Sequence, residues 1–217
     1  MKKKHIINPY LIIGSILLTL FIVFTILLKV VDVKDNIEGL TIGFYSFNHY
    51  FFNLIGVNLT LDLFSDLLFY LTLASACGVG VIASIQLIKR KSLLKVDVDL
   101  LTLLVSFGLL VAIYIFFEVV VINYRPIEPE ASYPSSHVFL STFILLSLTH
   151  VVRYMIDDNH RVIRNIVITL IYVVLGLLVI FRIMSGAHWM SDILGALMLS
   201  SGLYFLYLYF TNLIKRN

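Results

Sequence analysis

Residues 163–192 read IRNIVITLIYVVLGLLVIFRIMSGAHWMSD. The stretch begins as an apolar run, Ile163–Ile183, of the length a helix needs to cross a bilayer core, roughly 20 residues. It then turns polar for about ten positions, from Arg182 to Asp192, before a second apolar run, Trp189–Tyr209. A soluble domain has no use for two such runs set end to end. The pattern predicts two membrane helices joined by a short polar turn.

The same criterion applied outward gives four more spans, Tyr10–Val31, Leu61–Ile88, Leu100–Ile122 and Ser136–Tyr154. The expected fold class is therefore all-α, a polytopic membrane protein with six transmembrane helices. Composition agrees, with 60% of the 217 residues hydrophobic and 13% charged, a balance suited to lipid as solvent. No low-complexity linker or short repeat interrupts the chain, so one domain over 1–217 is expected. The N-terminal Met1-Lys2-Lys3-Lys4 followed by an apolar run resembles a signal peptide. The run is too long for one and ends without a small-residue cleavage site, which predicts an uncleaved first span.

The net charge of +3 carries little information, and no basic run interleaves with polar or aromatic residues as nucleic-acid binding requires. Cys77 is the only cysteine, which excludes an intrachain disulfide and a Cys-based metal site. Its apolar surroundings predict a small core residue.

Lysine and arginine counts orient the spans. Lys2, Lys3, Lys4, Lys89, Arg90, Lys91, Lys95, Arg153, Arg161, Arg164, Lys215 and Arg216 fall on one side, 12 of the 16 basic residues. Lys29, Lys34, Arg125 and Arg182 fall on the other. This predicts a multi-pass cell-membrane protein with both termini cytoplasmic. The loop Asp32 to Thr60, rich in aromatics from Phe44 to Phe52, is then external. It reads as an aromatic belt at the interface, or as a segment that admits a lipid.

Three polar segments share that external face. Asn123-Tyr124-Arg125-Pro126 follows span three, Tyr133-Pro134-Ser135-Ser136-His137 opens span four, and Arg182 to Asp192 joins spans five and six. Pro134-Ser135-Ser136 suits a helix start whose serine hydroxyls cap free N–H groups, and a helix start also attracts anions. Arg125 and Arg182 bring planar forks suited to phosphate oxygens. Gly186 permits a sharp turn or a close backbone approach. His188 and Asp192 are four apart, so a carboxylate can fix the imidazole tautomer and leave the other nitrogen free to attack. His137 supplies a general acid. Each residue singly also fits a structural role. Together they fit phosphoryl transfer through a phosphohistidine, with positioned charge stabilising the transition state and no metal required.

Arg125-Pro126, Pro134-Ser135-x-His137 and Arg182-x5-His188-x3-Asp192 resemble the three signature motifs of the type-2 phosphatidic acid phosphatase superfamily, which also includes vanadate-dependent haloperoxidases. The motifs lie within residues 118–192, and the six-span layout extends the likeness over the whole chain. The resemblance implies a haloperoxidase-like helical-bundle core over roughly residues 100–210. It implies His188 as nucleophile, Asp192 as its orienter and His137 as proton donor. Arg125, Arg182, Ser135 and Ser136 would bind phosphoryl oxygens. It implies a lipid phosphate substrate, such as undecaprenyl pyrophosphate, phosphatidylglycerophosphate or phosphatidic acid, handled at the outer face without a cofactor. Three positions depart from the family pattern: Glu118 stands where lysine is usual, Ser136 where glycine is, and Phe181 where serine is. Glu118 lies two helical turns before Arg125, roughly on one face with it, and would repel phosphate. That leaves two alternatives open, a lipid phosphotransferase and a non-catalytic lipid-binding or transport protein. A metal site of His137, His188 and Asp192 is disfavoured by the adjacent arginines.

Overall fold

The computed structural model describes residues 8–35, 40–127 and 129–216; Lys2, Lys3 and Lys4 of the charge count lie outside them. Helix α1 (Pro9–Val30) leads into a two-stranded antiparallel hairpin, β1 (Lys34–Asp35) and β2 (Thr41–Ile42), with Lys34 opposite Ile42. There follow α2 (Tyr45–Ile55), α3 (Leu59–Arg90), α4 (Val98–Val119), α5 (Ser136–Met155), α6 (Arg161–Met184) and α7 (Met190–Arg216). Short 3-10 turns precede α4 and α6. Among the described residues, six of the seven helices are long and apolar enough to cross a membrane. The fold is an all-α, six-span membrane bundle.

Local chemistry sets the helix starts. The Asn8 side chain accepts from Tyr10 N–H at 2.9 Å, ahead of Pro9 in the first turn, where proline's missing donor costs nothing. Asn58 Oδ1 accepts from the N–H groups of Thr60 and Leu61, both at 3.1 Å. This starts α3 two residues before the expected Leu61. α4 ends at Val119 rather than Ile122, and α7 runs to Arg216 instead of Tyr209.

α5 is the central post. Over half of its span, 56%, is buried by protein, against 17% in each of α1, α3 and α4. α1 lies along α7, while α3, α6 and α7 pack on α5. The outward faces of the peripheral helices keep large apolar residues such as Ile16, Leu67 and Val105 exposed, as lipid contact requires. Cys77 belongs to this outer set. It is exposed on α3, not a core residue, because in a lipid-solvated bundle an apolar neighbourhood does not imply burial.

The two ends of the bundle differ. At one end the buried carboxylate of Asp99 on α4 receives His150 Nε2 of α5 at 2.8 Å and Lys215 Nζ of α7 at 2.6 Å. This satisfies an ionised group that would otherwise be costly in a span. The other end gathers the C-termini of α4 and α6 and the N-termini of α3, α5 and α7, and it holds all three polar segments.

Part of the aromatic-rich segment expected to be external folds as α2, which keeps Phe47 and Tyr50 exposed. α2 lies on the start of α7, with Phe52 and His49 packed against Trp189 at ring-centroid distances of 5.5 and 5.0 Å. Asn48, fully buried, donates to Gly43 O (2.8 Å) and Ser191 Oγ (2.9 Å) and accepts from Ser191 N–H (3.1 Å).

Candidate active site

The 120–135 connection is pinned before it delivers its residues. Tyr124 pairs with Ala131 as an antiparallel bridge. Arg125 N–H donates to Glu130 O at 3.0 Å, and Trp189 Nε1–H donates to Tyr124 O at 2.6 Å. Tyr133 then enters the core, its hydroxyl 2.7 Å from Thr25 Oγ1 and its ring stacked on Phe21 at 6.0 Å. The ring fills a notch at Gly195, where a Cβ would fall 2.4 Å from it.

His188 sits in the turn before α7 and is 5% exposed. Its Nδ1 lies 3.1 Å from the Ser132 carbonyl oxygen, 3.2 Å from Ser132 Oγ and 3.7 Å from Asp192 Oδ2. Ser132 Oγ–H donates to Asp192 Oδ2, so the acceptor left for Nδ1–H is the Ser132 carbonyl. The expected direct His188–Asp192 bond is thus replaced by a relay, because His188 precedes the helix rather than lying on it. Asp192, fully buried, also accepts from Trp189 N–H (3.0 Å), Asn123 Nδ2 (3.3 Å) and Ser191 Oγ (3.3 Å). With the proton held on Nδ1, the buried Nε2 carries the lone pair, and it has no protein partner among the described residues. Burial, and after it the charges of Arg182 and Arg125, hold the His188 pKa well below that of free histidine, so the ring is neutral near pH 7.

Arg182, near the end of α6, is 2% exposed. Its Nη1 donates to Asp62 Oδ1 at 2.5 Å and reaches Asp66 Oδ1 at 3.4 Å. Its Nη2 points to His137 Nδ1 at 3.4 Å, and its Nε has no protein partner among the described residues. His137, in the first turn of α5, places Nε2 3.1 Å from Asp66 Oδ1 and packs tilted against Phe69 at 4.2 Å. Arg125 pairs with Glu130 at 3.5 Å and acts electrostatically on Arg182, His188 and Asp66.

Ser135 precedes α5, but its hydroxyl makes no capping bond. The capping expected of these serines is absent at Ser135, whose Oγ is buried with no protein partner among the described residues. The Ser136 hydroxyl lies 3.4 Å from His137 Nδ1. Gly186 has φ +68°, and a Cβ there would fall 2.2 Å from Gly56 O, so the turn lies flush against the α2–α3 link. Glu118 interacts with Tyr114 and lines a pocket with Ser132, Ser136 and His188.

All the residues named from the sequence therefore lie at one end of the bundle. Ser135 Oγ, Arg182 Nε and His188 Nε2 are buried polar atoms there without protein partners among the described residues. Buried groups of this kind are rare without a ligand or water to satisfy them. Among the described residues no three His, Cys, Asp or Glu side chains are grouped to hold a metal ion, and His137, His188 and Asp192 form no such group.

Fold and site together define a polytopic membrane protein with a buried centre of histidine, arginine and aspartate side chains at one end. The family model of the PAP2 superfamily matches residues 70–216, and the chain belongs to that superfamily. No curated protein sequence matches it. Among solved structures it is similar to the transmembrane PAP2-type phosphatidylglycerolphosphate phosphatase from Bacillus subtilis, with a TM-score of 0.67 and 18% identity over 94% of this chain and 98% of that one. Family and fold support a lipid phosphatase in general.

Sequence reasoning missed Asp62 and Asp66. Their signal was present: two carboxylates four apart near the start of a long apolar span are costly unless functional or paired. It also missed Ser132 and Asn123, small polar residues whose importance exists only through what they touch.

Proposed function

We propose that the protein is a membrane lipid phosphatase that hydrolyses a lipid phosphate monoester or pyrophosphate at the extracytoplasmic face through a phosphohistidine on His188. The observation that carries this is the buried His188 imidazole, its Nδ1 3.1 Å from the Ser132 carbonyl and its Nε2 without a protein partner among the described residues, at the end of the bundle that also holds Ser135 and Arg182. Nε2 attacks phosphorus as the bond to the leaving oxygen breaks, and that oxygen takes a proton from His137. Water then attacks phosphorus, returning a proton to His137, and the P–N bond breaks to free His188 and inorganic phosphate. Arg125, Arg182, Ser135 and the N–H groups near Ser136 would hold the phosphoryl oxygens. The scheme needs no metal. The domain reading is one unit over 1–217, its motif-bearing core at roughly 100–210. The Bacillus subtilis protein of similar fold makes phosphatidylglycerophosphate a natural member of the substrate panel. Undecaprenyl pyrophosphate and phosphatidic acid complete it.

Glu118, lining the same pocket as His188, favours a second reading in which the chain binds a lipid without cleaving it, since a carboxylate there opposes phosphate.

The test is phosphate release by the purified protein from that panel, with and without chelator, beside His188→Ala. Release that persists in chelator and is lost in the variant is expected, by about 10³-fold or more if covalent catalysis is removed. Release that survives in His188→Ala removes His188 as nucleophile. Loss on chelation sinks the metal-free scheme, and no release from any lipid moves the conclusion to lipid binding.

A further inference from the structure

Asp62, Asp66 and Phe69 follow one another at i, i+4 and i+7 on α3, and so share one helical face. That face meets the site. Phe69 packs tilted against the His137 ring at 4.2 Å, Asp66 Oδ1 lies 3.1 Å from its Nε2, and Asp62 binds Arg182 Nη1 at 2.5 Å. Asp62 and Asp66 lie outside residues 70–216, the segment the family model covers.

We propose that Asp66 is the positioning residue of His137, making a second carboxylate–histidine pair that aims this ring at the leaving group. The inference rests on the phosphatase reading above. A proton donor beside two arginines needs a counter-charge to carry its proton. Asp66 is the carboxylate in contact with the ring, its Oδ1 3.1 Å from Nε2. That contact sets which nitrogen faces the phosphoryl group. Nδ1 is turned toward Arg182 Nη2 and Ser136 Oγ, both at 3.4 Å, where the phosphoryl oxygens are to be held. At rest the ring carries one proton, on Nε2. It takes a second at Nδ1 from the bound phosphate monoanion, and in the transfer step that proton passes to the leaving oxygen as the P–O bond breaks, while the Nε2 proton stays facing Asp66. Water later restores the Nδ1 proton as it attacks. Asp62 acts on the other partner: by holding Nη1 it leaves Arg182 Nε, which has no protein partner among the described residues, facing the substrate.

The roles separate by leaving group. An alkyl phosphate needs its leaving oxygen protonated, whereas a nitrophenyl phosphate leaves as a stable phenolate and gains little from a general acid. Asp66→Asn is therefore expected to lower kcat on the lipid phosphate by about 10²-fold while changing nitrophenyl phosphate turnover several-fold at most, with KM little altered on either. Asp62→Asn is expected to raise KM on both substrates alike. Equal losses on the two substrates, or parental kcat on the lipid, overturn the role of Asp66. A second readout does not depend on turnover. ¹⁵N spectra of histidine-labelled protein in micelles, assigned with His137→Gln, should show His137 protonated at Nε2 in the parent and altered in Asp66→Asn. An unchanged His137 signal overturns the pairing even if no lipid is cleaved, whereas an inactive parent with the expected signal overturns only the phosphatase reading.

Discussion

At the scale of the residue, His188 shows how burial and charge act in one direction. Both disfavour the imidazolium, so its folded pKa lies well below 6.5. The neutral form is the one able to attack. As pH falls through 6.5 an unfolded histidine takes up a proton and this one does not. The contribution to stability therefore declines there, while the nucleophile stays competent until the lower folded pKa is reached. The acid limb of kcat/KM, corrected for the ionisation of the substrate, is expected below pH 6.5 in a pH–rate profile of the purified protein. A limb centred at 6.5 or above would show that His188 titrates as an ordinary exposed histidine. The candidate residues themselves were legible in the sequence, because histidines and arginines that each fit a structural role singly gather in three polar segments at one face. The bonds among them were not. The spacing of His188 and Asp192 suggested a helical pair, yet the helix begins at Met190 and Ser132, 56 positions away, stands between them. No local pattern encodes such a contact.

The elements were read well where length and hydropathy decide, and less well where polar contacts decide. Six spans follow from apolar run length alone. α2 does not, because its fold depends on Asn48 finding Ser191 and on Phe52 finding Trp189, both contacts across more than 130 residues. The α6–α7 turn shows what such docking demands. Gly186 has a left-handed backbone, and a Cβ there would meet Gly56 O at 2.2 Å. Both are rigid backbone, so neither side can give way by rotating a side chain. Gly186→Ala is expected to destabilise by about 1–3 kcal/mol, lowering the thermal midpoint in detergent. Because His188 lies two residues on, it should also lower any phosphate release more than it lowers stability. A variant with the parent's midpoint would mean that the α2–α3 link yields freely, and that the turn is not held by it.

For the whole molecule, the structure separates two ends and leaves their sidedness to charge. The end bearing Lys89, Arg90, Lys95, Arg153, Arg161 and Lys215 is opposite the end bearing Arg125, Arg182 and the site. Basic residues are retained on the cytoplasmic side of short loops, which supports an extracytoplasmic site. The two basic residues that violate the bias near the site, Arg125 and Arg182, are those with a reason to be there. The single cysteine makes the arrangement testable. Cys77 is exposed on α3, so a Cys77→Ser background clears the chain of thiols. Ile127, 48% exposed in the connection that carries Arg125, and Asp158, 91% exposed in the turn between α5 and α6, then report one end each. A membrane-impermeant maleimide applied to intact cells is expected to label Ile127→Cys at once and Asp158→Cys only after permeabilisation. The reverse pattern would turn the molecule over and put its phosphate chemistry in the cytoplasm. It would leave the fold and the site geometry unchanged, but the substrate would then have to be a lipid of the inner leaflet.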